Sequence, residues 1–389
     1  MHSGKFILSQ IIDLIHRQTL KRIVERHSAE DNVRHFGCRQ QFICMVFAQL
    51  TWREGLRDIE ECLNARPEAL HHLGFKGPVA RSTLADANEQ RPWRIWEEVA
   101  ASLMRKARPL YLDEDPAQGV ENTLYVLDSS TIDLSLTLFP WADFRKTKSG
   151  IKMHTQIDLR GTLPTCITIG SARPHDVLWL DELVFESGAF YLIDRGYMDF
   201  ARLARIHDGG AFFVTRAKDG LRFARLYSQP VDRSTGLRSD QVGRPALAKS
   251  RTDYPGLLRR IVFYDEKTSR RLVFLTNHLT LPALSVATLY RLRWQIELFF
   301  RWIKGHLRLK HFYGTSENAV KTQIWIAMCV YLLVAILHKQ LGLAEGLHRT
   351  FQLLSVNVFE KILLCQLLRK PEFKTNESNS CKQLMLIGL

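Results

Sequence analysis

The segment Leu289 to Lys310, LYRLRWQIELFFRWIKGHLRLK, sets one carboxylate, Glu297, among Arg291, Arg293, Arg301, Lys304, Arg308 and Lys310. Glu297 is the only acidic residue between Lys267 and Ser316. In a helix turning about 100° per residue, Tyr290, Arg293, Glu297 and Lys304 fall within roughly 60° of one another and share a face. That face could be a solvated one on which Arg293 and Glu297 form an ordinary i,i+4 ion pair. It could equally deliver a carboxylate to a reaction site. Two other acids suit such a site: Asp128 follows the apolar run LYVL and Asp194 follows FYLI, each where a strand is expected to end. Carboxylates on strand ends and on a crossing helix can converge, and hard divalent cations such as Mg²⁺ are held by a few carboxylates with water and phosphate. Two such ions about 3.5 to 4 Å apart serve phosphodiester chemistry, one activating the attacking oxygen and the other stabilising the leaving oxygen. The simpler readings are a turn former at Asp128, with Asp133 as its rival, and a helix N-cap at Asp194 before Tyr197, with Asp199 as its rival.

The elements that must position these acids follow from periodicity. Apolar residues at helical spacing over 6–24, 39–50, 53–64, 82–90 and 92–105 imply an all-helical N-terminal domain over 1–115. Gly74, Gly77 and Pro78 mark a turn that could join two helices into a helix-turn-helix, with Ser82 as N-cap and Arg81, Thr83, Asn88 and Gln90 facing a groove. Beyond the acidic, proline-containing stretch 113–116 the pattern changes to strands at 124–127, 131–134, 152–159 and 165–169. A helix over 176–186, a strand over 190–193, a helix over 200–206 and a strand over 211–215 complete the first part of an α/β core, 116–217. Short β-prone pieces in 218–276 read as a β-rich insertion. Long helices follow over 284–309 and 321–341, giving the second part of the core over 277–341, and a helix over 351–368 precedes a polar tail in the C-terminal segment 342–389.

The formal charge of +14, from 54 basic and 40 acidic residues, favours a polyanionic partner, because neutralising phosphates releases condensed counterions. Seven scattered cysteines, an odd number in mostly apolar surroundings, read as reduced core residues of a cytoplasmic protein. There is no zinc spacing, Walker loop, GxGxxG or GxSxG. The first residues lack a signal-peptide pattern, and the most apolar run, 324–337, is about 14 residues where roughly 20 would cross a bilayer, so it reads as a buried helix.

Taken together these residues resemble the insertion-sequence-4 family of DDE transposases. Its signature, Tyr, two residues, Arg, three residues, Glu, six residues, Lys, is met by Tyr290, Arg293, Glu297 and Lys304. Its Asp-Arg-Gly-Tyr element is met by Asp194 to Tyr197, its F-V-T-R-x-K element by Phe213 to Lys218, and its first Asp by Asp128 in LDSSTIDL. The likeness covers about Ser3 to Leu341. It implies an RNase H-like mixed-sheet core, which the element order also suits, with the β-rich insertion between the second Asp and the Glu. It implies two Mg²⁺ or Mn²⁺ ions on Asp128, Asp194 and Glu297. It also implies double-stranded DNA as partner, both element ends and target, and a homodimeric synapse for cut-and-paste movement in the bacterial cytoplasm at the nucleoid. Tyr290, Arg293 and Lys304, with Arg301, Arg195 and Tyr197 beside them, would contact the DNA. Relatives hold a flipped base on an aromatic of the insertion; no Trp lies between Trp179 and Trp294, which leaves Phe223, Tyr227, Tyr254, Phe263 or Tyr264 for that task. A catalytically silent regulator and a host nuclease of the same fold are the competing readings.

Overall fold

The computed structural model describes residues 4–31, 33–117, 119–135, 137–145, 148–307 and 311–368. Arg308, Lys310 and the tail from Pro371 lie outside the described residues. The N-terminal region forms seven helices: α1 (Ile7–Ile12), α2 (Arg17–Arg26), α3 (Cys38–Leu50), α4 (Leu56–Asn64), α5 (Pro67–Leu73), α6 (Arg81–Gln90) and α7 (Arg94–Ala107). The stretch expected as one helix from residue 6 is two: the first ends at Ile12 with Asp13 as its C-cap, and His16 caps the second, its ring accepting from Gln18 N at 3.3 Å. That corner keeps Ile11, Ile12 and Ile15 all buried. The α5–α6 pair turns at Gly74, whose φ of +89° is a left-handed conformation that favours glycine. Two details of the expected reading helix differ. Ala80, not Ser82, occupies the N-cap, and Asn88 is buried with its side-chain oxygen accepting from Gln41 at 2.9 Å. Arg81, Thr83 and Gln90 stay exposed.

The core is one ten-stranded sheet: β1 (Leu124–Leu134), β2 (Asp143–Arg145), β3 (Lys148–Asp158), β4 (Leu163–Ser171), β5 (Phe190–Ile193), β6 (Phe212–Arg216), β7 (Phe223–Gln229), β8 (Leu237–Pro245), β9 (Leu258–Asp265) and β10 (Arg270–Thr276). Strands β4, β3 and β1 are antiparallel neighbours, and β5 then β6 continue parallel to β1. That is the RNase H-like order. The β-rich insertion extends the same sheet, since β10 pairs antiparallel with β6 and is followed outward by β9, β8 and β7.

Period-two alternation divides the sheet between two cores. Leu124, Val126, Leu192 and Val214 join the larger one, and Tyr125, Leu127, Tyr191, Ile193 and Phe213 join a smaller one with α8 (Phe200–Asp208). The segment expected as a helix over 176–186 forms only a short 3-10 turn, Asp176–Asp181, on the smaller-core side. The remaining helices are α9 (Ala248–Asp253), α10 (Ala283–Leu292), α11 (Trp294–His306), α12 (Glu317–Gln340), α13 (Leu347–Asn357) and α14 (Leu364–Leu368). Helix α12, 24 residues long, is apolar enough to cross a membrane by length and composition, but 94% of its apolar window is buried inside the protein. It packs against α3, α6 and α7, so helices from both ends of the chain share one core.

A buried ion pair ties the insertion to the helices beyond it. Arg259 donates to Asp240 at 2.8 and 2.6 Å, both side chains are 2% exposed, and the same guanidinium reaches the carbonyl of Leu281 just before α10. Asp240→Ala strands that charge without a counter-ion, and we expect a loss of about 3 to 5 kcal/mol in urea unfolding; a loss under about 1 kcal/mol would show that the pair behaves as a surface one.

Candidate active site

Pairing of β1 with β5 runs from Leu124↔Phe190 to Leu127↔Ile193, so Asp128 and Asp194 are the next two residues in register on strands about 4.8 Å apart. Each lies two residues beyond a larger-core position, Val126 and Leu192, and so is aimed at the side where α10 and α11 pack. Asp128 does not end its strand as the sequence suggested, because β1 continues along β3 to Leu134. What ends is β5. Asp194 turns the chain into a short 3-10 segment, one carboxylate oxygen accepting from Gly196 N at 3.1 Å while the other faces the Tyr290 hydroxyl at 3.4 Å. Capping and site duty therefore coexist in one side chain. The rivals separate cleanly: Asp133 is exposed on the opposite face of β1, and Asp199 caps α8 by accepting from Arg202 N at 3.1 Å.

The signature segment is broken into α10 and α11 at Arg293, whose own backbone stays helical (φ −52°, ψ −30°), so the shared face survives the break. Tyr290, Arg293, Glu297 and Lys304 all turn toward the sheet. Arg293 donates to Glu297 at 2.8 Å and to Asp128 at 3.4 Å with only 14% of its side chain exposed. Lys304 donates to the Thr131 carbonyl at 2.6 Å. The i,i+4 pair of Arg293 and Glu297 thus exists, but it faces inward.

Burial pushes the Asp128 carboxyl up to about 6, and the nearby Asp194 and Glu297 charges add to the rise while the Ser129 N–H and Arg293 oppose it. Burial likewise lifts Tyr290 to about 12. For Arg293 burial works against the charge, yet Glu297, Tyr290, Asp128 and Asp194 together hold its pKa above the ordinary value. Two of the three acids, Asp128 and Glu297, share one partly buried cation. Among the described residues no three His, Cys, Asp or Glu side chains approach closely enough to hold a metal, and Arg293 lies between Asp128 and Glu297. The donor set itself, carboxylate oxygens alone, fits a hard divalent cation.

A family described as transposase DDE domain matches residues 121–333, which takes in all three acids and the whole sheet. The chain belongs to the DDE transposase family. A second family, described only as a domain of unknown function, matches residues 3–76. A transposase of Sinorhizobium fredii is 32% identical over 291 residues, 74% of this chain and 80% of the relative. One for insertion sequence element IS5377 of Geobacillus stearothermophilus is 28% identical over 264 residues, 67% of each. The backbone also overlays on the piggyBac transposase synaptic complex with hairpin DNA, at 10% identity and a TM-score of 0.46, over 96% of this chain and 83% of that one. Membership makes the protein a DNA-acting enzyme dependent on divalent metal.

Other expected contacts of the transposase are redistributed. Tyr197 is buried, so its side chain is withdrawn from the surface on which it was expected. Arg195, half exposed and 3.5 Å from Asp219, and Arg301, exposed on α11, stay open to solvent. Among the insertion aromatics Tyr254 and Phe263 are buried, Phe223 and Tyr264 lie under Arg260 and Arg238, and Tyr227 is exposed on the edge strand β7. Sequence reading passed over Lys152 and Asp176, which pair at 2.8 Å, and His154, stacked on Trp179. The 3-10 turn at Asp176–Asp181 covers the polar side of β3, and burial lowers His154 to about 4.

With Asp128 titrating near 6, the metal-free folded transposase binds that proton more tightly than the unfolded chain does. Stability therefore falls as pH rises from about 4 through 6, by on the order of 3 kcal/mol once the group is ionised. Asp128→Asn should raise the melting temperature of the metal-free protein at neutral pH, and the advantage should fade as pH drops below about 5. An advantage unchanged across that range would contradict the charge argument.

Proposed function

We propose that Asp128, Asp194 and Glu297 form the reaction site and hold two Mg²⁺ or Mn²⁺ ions, with which the transposase cuts element ends and joins them to target DNA. The observation that carries this reading is the in-register pair Asp128 and Asp194, with Asp128 joined to Glu297 by a partly buried, shared arginine. When bound, the ions supply Lewis-acid activation of the attacking oxygen and stabilisation of the leaving one. The chain's own groups do the rest. With metal supplying positive charge, Arg293 is released from its duty to Asp128 and Glu297 and can meet a phosphate by its planar fork. Tyr290, which keeps its proton at neutral pH, donates a hydrogen bond at the Asp194 side. Lys304, Arg301 and Arg195 add positive charge along the DNA path. The element's terminal inverted repeats are read by the α5–α6 pair through Arg81, Thr83 and Gln90, in a domain bounded near residue 115; the core then spans 116–217 and 277–341 around the insertion 218–276, with 342–389 as the C-terminal segment. A homodimer holds two ends in synapsis, in the bacterial cytoplasm at the nucleoid.

The test is cleavage of a plasmid carrying the element ends, with and without Mg²⁺. Glu297→Gln should lower divalent-dependent nicking by on the order of a hundredfold or more while end binding is kept. Nicking retained by that variant would refute the assignment, and loss of binding together with nicking would point to a structural role for Glu297.

A further inference from the structure

On the flank away from Asp194, Asp128 has a second neighbour in the sheet. The antiparallel pairing of β1 with β3 sets Asp128 directly opposite Thr155. Met153 and Ile157, two residues to either side of Thr155, both belong to the larger core, so the Thr155 side chain rises on the face that carries Asp128. Residues directly opposite on antiparallel strands hold their β-carbons about 4.5 to 5.5 Å apart, close enough for a hydroxyl to meet a carboxylate. Thr155, Asp128 and Asp194 therefore form a row across three adjacent strands.

Thr155 is 0% exposed, yet its hydroxyl has no hydrogen-bond partner among the described residues. A hydroxyl held out of water in that state costs stability, so the apolar alternative of similar shape, valine, would suit the resting fold better. Thr51, also buried, shows the usual arrangement, donating to the Phe47 carbonyl at 2.7 Å. Ser149 and Thr322 share the orphaned state of Thr155, but Ser149 is paired with Leu134 and Thr322 sits within α12, so neither stands opposite a candidate acid. Asp128 for its part is thinly held. One carboxylate oxygen accepts from Ser129 N at 2.8 Å, and the other meets Arg293 at a long 3.4 Å. When Arg293 turns to a phosphate, that second oxygen loses its donor. Resting on the reading of Asp128, Asp194 and Glu297 as the reaction site, we propose that Thr155 is a positioning residue whose hydroxyl then donates to the Asp128 carboxylate and holds it turned toward the metal. Outer hydrogen bonds of this kind orient a ligating carboxylate and raise its affinity for the ion.

The test uses the full chain bound to a duplex that ends at the already cut terminus of the repeat flanking the coding sequence, so that no strand is left to cut. Mn²⁺ is titrated in and the free ion is followed by electron paramagnetic resonance, with the Asp128→Asn complex as background. The parent should take up Mn²⁺ above that background. Thr155→Val, which keeps the shape and loses the hydroxyl, should need about tenfold more Mn²⁺ for half-saturation, while its metal-free melting temperature stays at or above that of the parent. Thr155→Ser, which keeps the hydroxyl, should restore the uptake of the parent. Thr155→Ala removes the same hydroxyl and decides the matter if Thr155→Val does not fold. Parent-like uptake by Thr155→Val overturns the proposal, and so does a loss in Thr155→Ser as large as that in Thr155→Val, since shape and not the hydroxyl would then be at work. If the parent takes up no more Mn²⁺ than Asp128→Asn does, the reading of the acids fails and takes the proposal with it, an outcome distinct from the other two.

Discussion

Gathering three carboxylates on one face of a sheet is unfavourable, and the architecture around the site depends on how that repulsion is met. Withdrawal from water, and after it the nearby like charges, favour the protonated form, and Asp128 shows the effect. Arg293 is the resident counter-charge, placed between Asp128 and Glu297 at the break separating α10 from α11. The acids need rigid supports, because a flexible backbone would let them drift apart. Two come from neighbouring parallel strands whose hydrogen bonds fix them in register, and the third comes from a helix seated on β1. The resting site is thus charge-compensated from within, and a metal ion would take over a duty that an arginine already performs.

The insertion bears on this arrangement through the sheet. Its last strand, β10, runs beside β6, and its buried Arg259 grips both Asp240 and the carbonyl of Leu281, immediately ahead of α10. Helix α10 carries Tyr290, so the extra strands fix where the signature helix begins. Phe274 of β10 packs directly on the Tyr290 ring. An excursion of about sixty residues that loops away from the core in sequence is, in space, one wall of the site.

The parts of this legible in sequence share a cause. A lone acid in a cationic helix, and acids that close apolar runs, are local patterns, and Glu297 and Asp194 stand out from them as candidates. The choice between Asp128 and Asp133 was not local; it needed the strand to continue past Asp128, after which alternation sends Asp133 to the other face. Tyr197 illustrates the reverse error, since neighbouring a site residue in sequence does not expose a side chain, and this one is buried. Lys152, His154 and Asp176 escaped notice because a polar strand face reads as solvated until something is known to cover it. The mid-helix break at Arg293 carries no glycine or proline, so composition gave no sign of it.

Helix α12 has a consequence for synthesis. It fills the space among α3, α6 and α7, which are made more than two hundred residues earlier, and Gln10 of α1 is hydrogen-bonded to Ile362 and Leu364 close to the last described residues. The N-terminal helices emerge from the ribosome with the apolar surface that α12 will cover still open to water, and they stay so until translation has passed Gln340. Such long sequence separation slows folding and favours temporary custody by chaperones. A chain halted before α12 would possess every residue of the candidate site and still lack the core that holds its two ends together.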